Sequence, residues 1–340
     1  MKRWFSGWFT VIVFALTALA AEPPTSISPG DENPNEVRPT GVPARHRTKA
    51  KAATDSDSEA SPSATPRARR THRRTAKSSE SDDDAVSIQT IPGSVPKIGA
   101  SSVIVVDVRS GQVLFEKNPD QIRAPASTTK LLTGLIVAES GYLDRPVVVA
   151  QTDTLAEPVK LNIKPGDTYT RIDLLRALLV KSPNDVARCL ARDNAGSIEE
   201  FAQKMNQRAA VIGATHSHWV NPNGLPDARQ YSTARDLATI ARVAYANPTI
   251  RSIVCLPQLV FRFANGRTRE LENTNKLLKR LPYCNGMKTG YTEAAGKCLI
   301  ASGSRPGKDI IVVVLGDSHS GVWRDAGNLL AWALWSPSAG

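Results

Sequence analysis

The 340-residue chain carries 43 Lys and Arg against 32 Asp and Glu, a formal net charge of +11. That length accommodates one large domain, or two small ones, with extensions. The excess positive charge lies mostly beyond residue 96 and suits a substrate rich in carboxylates, whereas nucleic acid is set aside because the chain opens on an export segment.

Lys2 and Arg3 give a short positive start, and Trp4 to Leu19 is largely apolar. Ala18-Leu19-Ala20 offers small residues for cleavage, so residues 1–20 read as a signal peptide, with an uncleaved N-terminal anchor as the other reading. Either way the bulk of the chain is expected outside the cytoplasm, periplasmic or extracellular. Residues 21–96 are dominated by Pro, Ser, Thr, Asp and Arg and hold no aromatic residue. Such a segment cannot bury enough apolar surface to offset its ordering entropy, and it reads as a disordered tether. Within it Arg67, Arg69, Arg70, Arg73, Arg74 and Lys77 form a basic block ahead of an acidic patch at Glu80 and Asp82 to Asp84. The block could engage an anionic envelope surface or serve as a solvated linker.

Order is expected from residue 97 to 340. Ser102 to Asp107 and Val113 to Glu116 flank an Arg-Ser-Gly turn and predict a hairpin. Leu131, Leu132, Leu135, Ile136 and Ala138 recur at helical spacing, which places Ser127 at a helix start. Further helices are predicted over 171–180, 185–195 and 197–211, and one capped by Thr233 runs through Leu237, Ile240 and Val243. Strands follow at 287–291, 298–302 and 310–315, the last a continuous apolar run that reads as buried on both faces, before a closing helix through Trp323 and Leu334. Strands at both ends and helices between predict an α/β (α+β) fold: one sheet built from the two ends of the chain, flanked by helices. The four cysteines, Cys189, Cys255, Cys284 and Cys298, fall in this region, and their spacing leaves bridges and buried thiols equally open.

Three segments carry chemistry: Ser127-Thr128-Thr129-Lys130, Ser182-Pro183-Asn184 and Lys288-Thr289-Gly290. Chance places a lone Ser-x-x-Lys in most chains this long, but not the ordered triple. A serine at a helix start can present its hydroxyl to a cleft, and Lys130, one turn on, lies on the same face. The hydroxyl needs a base, and Lys130 can be one only when neutral, through burial or a second positive charge such as Lys288. Ser182 could relay a proton and Asn184 hold a substrate amide. Thr289 can donate to a carboxylate, Gly290 leaves room for a substrate along the strand, and the N–H of Tyr291 with that of Ser127 would form an oxyanion hole. No Gly-x-Ser-x-Gly elbow or Gly-rich phosphate loop is present, and His216 and His218 have too few neighbouring ligands to argue for zinc, so neither metal nor cofactor is expected.

The triple resembles the motif set of penicillin-binding proteins and class A β-lactamases, with Ser-Pro-Asn in the second place. Together with Asn223-Gly224-Leu225, Tyr231-Ser232-Thr233-Ala234-Arg235-Asp236 and Gly286-Met287-Lys288-Thr289-Gly290-Tyr291-Thr292, it is similar to the low-molecular-mass D-alanyl-D-alanine carboxypeptidases from about Ile98 to Leu334. The resemblance implies a β-lactamase/transpeptidase-like antiparallel sheet with a helical subdomain, and hydrolysis of peptidoglycan peptides ending in D-Ala-D-Ala with β-lactams as inhibitors. It implies Ser127 as the acylated nucleophile, Lys130 as the base, Ser182, Asn184 and Lys288 as the supporting network, and Arg324 on the terminal carboxylate. The chain departs from that pattern at Pro183, where the family has Gly, and in having no segment after Trp335 to match a common C-terminal β-domain and membrane tail. Three alternatives remain: an endopeptidase using the same site, a non-catalytic wall-binding protein, and a β-lactamase. The last is disfavoured because no Glu-x-x-Leu-Asn lies between Ser182 and Lys288.

Overall fold

The computed structural model describes residues 93–156 and 158–336. The export segment, the Arg67–Lys77 block and nearly all of the tether lie outside the described residues. In chain order come β1 (Ser102–Asp107), β2 (Val113–Lys117), a 3-10 turn (Ala126–Thr129) running into α1 (Lys130–Glu139), and a small pair of strands, β3 (Pro146–Val148) and β4 (Thr168–Thr170). Helices α2 (Arg171–Lys181), α3 (Asn184–Ala195), α4 (Ile198–Val211), α5 (Ala234–Ala246) and α6 (Pro248–Val254) follow. A second hairpin, β5 (Gln258–Arg262) and β6 (Thr268–Glu272), leads through α7 (Leu277–Arg280) to β7 (Cys284–Thr292), β8 (Gly296–Arg305), β9 (Lys308–Asp317) and α8 (Gly321–Trp335).

The main sheet has the order β2-β1-β9-β8-β7, and every pairing in it is antiparallel. Both chain ends therefore build one sheet, as expected. Its centre is β9, whose apolar run faces two cores because side chains alternate across a strand. Ile310, Val312 and Val314 turn to α8 and meet Leu329, Leu330 and Leu334; Ile311, Val313 and Leu315 turn to the helical side, with Leu131, Leu135 and Ile240. Each such side chain taken from water contributes about 1.5–3 kcal/mol, so the sheet has little freedom to slip under the site.

Helix starts follow the expected chemistry. The side chains of Thr170, Ser197 and Thr233 accept the backbone N–H of Asp173, Glu200 and Asp236 respectively. Two features differ from the sequence reading. Ser127 sits in a 3-10 turn, and the α-helix proper begins only at Lys130. The β3–β4 and β5–β6 pairs were not anticipated: β3 is three residues paired to a segment some twenty residues on, while β5–β6 carried a readable signal, Asn265-Gly266 between alternating strands. All four cysteines are free thiols; Cys298 faces Gly290 across the sheet and Cys284 faces Gly303, so the hairpin register does not bring the two together.

Candidate active site

Ser127 is brought to the floor of a cleft of about 1080 Å³ that also takes in Ser182, Asn184, Thr289, Gly290 and Tyr291. The three motifs, far apart in sequence, thus converge through three elements: the turn before α1, the α2–α3 junction, and β7. A bulge between Cys284 and Gly286 shifts the register of β7 against β8 just ahead of Lys288. Bulges re-aim the residues that follow them, and here Lys288 is driven inward until it is fully buried.

Lys130 is also fully buried, beneath the cleft floor rather than on it. Its Nζ donates to Ser127 Oγ at 2.9 Å, Asn184 Oδ1 at 2.8 Å and the main-chain oxygen of Asn223 at 2.6 Å. These three acceptors are all neutral oxygens, so nothing in that shell compensates a positive charge. Burial first, and then the charge of Lys288, hold Lys130 well below the ordinary lysine range. Burial lowers Lys288 to about 7, and its Nζ donates to the Thr289 carbonyl at 3.0 Å.

Asn223, in the sequence one residue of the Asn-Gly-Leu segment, lies buried behind the cleft and supports its base. Its side chain donates to the Asn184 carbonyl at 2.7 Å while its own carbonyl takes Lys130, which locks the α2–α3 junction to the base. The loop can come this close because Gly224 has φ +78° and no Cβ; a Cβ there would lie 1.8 Å from the Ala126 carbonyl oxygen. The signal in the sequence was the Asn-Gly pair, whose turn chemistry is legible but whose partner is not.

Ser182 ends α2 in the left-handed region (φ 67°), which points its hydroxyl into the cleft wall, where among the described residues Oγ has no hydrogen-bond partner. Pro183, in extended geometry, caps α3 and lets Asn184 begin the helix with its N–H on Val159 O at 2.7 Å. The Pro183 departure therefore rigidifies the junction. Gly290 closes the site on the strand side: a Cβ there would stand 3.0 Å from both Ser127 N and Thr128 N. Thr289 Oγ1 donates to Thr274 Oγ1 at 2.7 Å. Tyr291 is exposed, its ring beneath Lys297 Nζ at 4.2 Å.

Arg324 is not among the residues lining the cleft, although its neighbours Val322 and Trp323 are. Its guanidinium lies 3.1 Å from Asp325, and Asp325 in turn accepts the N–H of Gly99 and Ala100 at 2.6 and 3.0 Å. Arg324 thus backs a clamp on Gly99 and Ala100. His216 and His218 are equally remote from chemistry: the N–H of His216 donates to Asp236, and the ring of His218 meets Arg229 O. Among the described residues no group of three or more His, Cys, Asp or Glu could hold a metal ion.

A family profile described as D-alanyl-D-alanine carboxypeptidase matches residues 89–319. The chain is 36% identical over 260 residues to the D-alanyl-D-alanine carboxypeptidase DacB2 of Mycobacterium tuberculosis, covering 75% of this chain and 88% of that protein. It is 32% identical over 224 residues to DacF of Bacillus subtilis, which covers 64% of this chain and 58% of that longer protein. The crystal structure of a D-alanyl-D-alanine carboxypeptidase from Mycobacterium tuberculosis superposes with a TM-score of 0.67 at 36% identity, over 72% of this chain and 93% of that one.

Proposed function

This chain belongs to the D-alanyl-D-alanine carboxypeptidase family of serine peptidases, and we propose that Ser127 is its nucleophile with Lys130 as the base. The observation that carries the assignment is the position of the Lys130 amine: fully buried, 2.9 Å from Ser127 Oγ, and surrounded by neutral oxygens. Burial there favours the neutral amine, whose lone pair can take the serine proton.

In the reaction Lys130 removes the proton as Ser127 Oγ attacks the carbonyl between the two D-alanines. The oxyanion is met by the N–H groups of Ser127 and Tyr291, a reading supported by the close approach of Gly290, the residue before Tyr291, to the Ser127 main-chain nitrogen. Ser182, whose hydroxyl has no partner among the described residues, passes its proton to the departing amine as the C–N bond breaks and is reprotonated by Lys130, which returns to the neutral amine. Water then releases the acyl group from Ser127. The cleft carboxylates, Glu272 and Glu293, are both exposed, and Glu272 is paired with Lys279 at 2.9 Å. Neither is a buried base poised for fast deacylation, which separates this site from a β-lactamase. Mass spectrometry after penicillin treatment should find a long-lived adduct on the Ser127 peptide and none on Ser127→Ala. An adduct that persists in that variant would remove the assignment.

A further inference from the structure

The two residues ahead of Lys288 follow an unusual backbone path. Gly286 has φ +98° and Met287 has φ +90°. Glycine takes such an angle freely, but Met287 is buried and carries a Cβ, so it stays there only where its surroundings hold it. Strain at this point, directly before a buried amine, calls for a brace.

The brace lies on the open side of β7. β7 is the edge strand of the five-stranded sheet, and among the described residues no further strand pairs with its outer side. At Gly286 a side chain takes that place: buried Asn275 donates its amide N–H to the Gly286 carbonyl at 3.0 Å. Asn275 is itself fixed twice. Its Oδ1 accepts the N–H of Leu277 at 3.1 Å, and its backbone N–H donates to Asn273 Oδ1 at 2.9 Å. Asn273 in turn donates to the carbonyls of Val254 and Leu256, at 3.3 and 2.8 Å, where α6 ends. The same Val254 carbonyl bounds Gly286, since a Cβ there would lie 1.9 Å from it. The Gly286 peptide is thus held by the end of α6 and by Asn275 together.

We propose that Asn275 is a positioning residue for Lys288: through the Gly286 carbonyl it keeps β7 on the path that sends this lysine into the interior. Asn275 touches no reacting atom, and its effect on rate, though not on Lys288 itself, rests on the reading of Lys130 as the base. Lys130 on α1 is the charged group that Lys288 faces. Burial lowers Lys288 to about 7, so a Lys288 that slips outward regains water and binds its proton more tightly.

Two readouts distinguish positioning from a general loosening of the fold. The first is the titration of the Lys288 side chain, followed by NMR on labelled lysine and assigned by its loss in Lys288→Met. In the full chain it should titrate near neutrality, and Asn275→Ala should move it up by about one pH unit or more, toward the ordinary lysine value. An unmoved midpoint overturns the proposal, whatever Lys130 does. The second is a double-mutant cycle on acylation by penicillin. Asn275→Ala should slow acylation by about ten- to a hundredfold and shift its acidic limb in the same direction as Lys288→Met. Added to Lys288→Met, it should change neither further; an undiminished second loss makes Asn275 a structural residue and overturns the proposal. If Lys288→Met alone leaves acylation unchanged, the catalytic reading of the two lysines fails by itself, and the titration decides Asn275. Where urea unfolding shows that Asn275→Ala does not fold, Asn275→Ser is read in its place, because it keeps an oxygen for the Leu277 N–H but cannot reach Gly286.

Discussion

Gly224→Ala should disable the enzyme without unfolding it. The substitution carries two costs that the structure separates. The first is conformational: at φ +78° an L-residue is disfavoured by about 1–2 kcal/mol. The second is steric. The new Cβ would lie 1.8 Å from the Ala126 carbonyl oxygen, and reaching ordinary contact at 3.4 Å requires a displacement of about 1.6 Å. That displacement must come from the Ala126–Thr129 turn or from the Asn223–Gly224 loop. The turn carries Ser127; the loop carries the carbonyl that holds Lys130 Nζ at 2.6 Å. Misplacing reacting groups by an ångström costs about a hundredfold in rate, near 2.7 kcal/mol of barrier, so acylation by penicillin should slow at least that much. Gly307→Ala is the matched control: φ is +83° with nothing within 4 Å of its Cβ, so it meets the backbone cost alone. Stopped-flow acylation and urea unfolding of both variants give the answer. Gly307→Ala should lose about 1–2 kcal/mol of stability at unchanged acylation rate. A folded Gly224→Ala that acylates like the wild type, or a Gly307→Ala equally impaired in rate, would refute the argument that this contact sets the nucleophile.

Two further outcomes concern titration. Lys288, lowered by burial to about 7, is protonated on the acidic side of neutrality, where its charge adds to burial in keeping Lys130 neutral. Lys288→Met removes that charge, Lys130 binds its proton more readily, and the acidic limb of the acylation–pH profile should move to higher pH; an unmoved limb, or one displaced to lower pH, contradicts this. Burial and the neighbouring Asp325 carboxylate raise Asp317 to about 6, so the folded state binds its proton more tightly than the unfolded chain, with its ordinary value of 3.8. Stability contributed by that proton is therefore lost as pH rises from about 3.8 through 6. Asp317→Asn should raise the melting temperature above pH 6 and leave it nearly unchanged below 3.8, and a loss at the higher pH would mean the carboxylate is needed ionised.

Much of this protein follows from local chemistry in the chain. The continuous apolar run at Ile310–Leu315 demands a strand covered on both faces, and two strand-rich ends around a helical middle demand one sheet. Thr233 marks a helix start because its side chain can accept an orphan N–H three residues on. The three motifs name the reaction class for the same reason: a serine, a nearby lysine and a second lysine are chemically sufficient wherever they meet. Other features depend on contacts between residues far apart in sequence, which no local pattern encodes. Whether Lys130 is a base depends on its burial under Asn184 and Asn223, and Asn223 lies 93 residues away along the chain. The inward aim of Lys288 depends on a bulge in its pairing with β8. Arg324 reads from the sequence as a free cation, and only packing sets it beside Asp325, which accepts the N–H groups of Gly99 and Ala100. Residue type and short-range periodicity determined the sheet and the chemistry; desolvation and long-range hydrogen bonding, which exist only once the chain is closed, decided which charges serve the site.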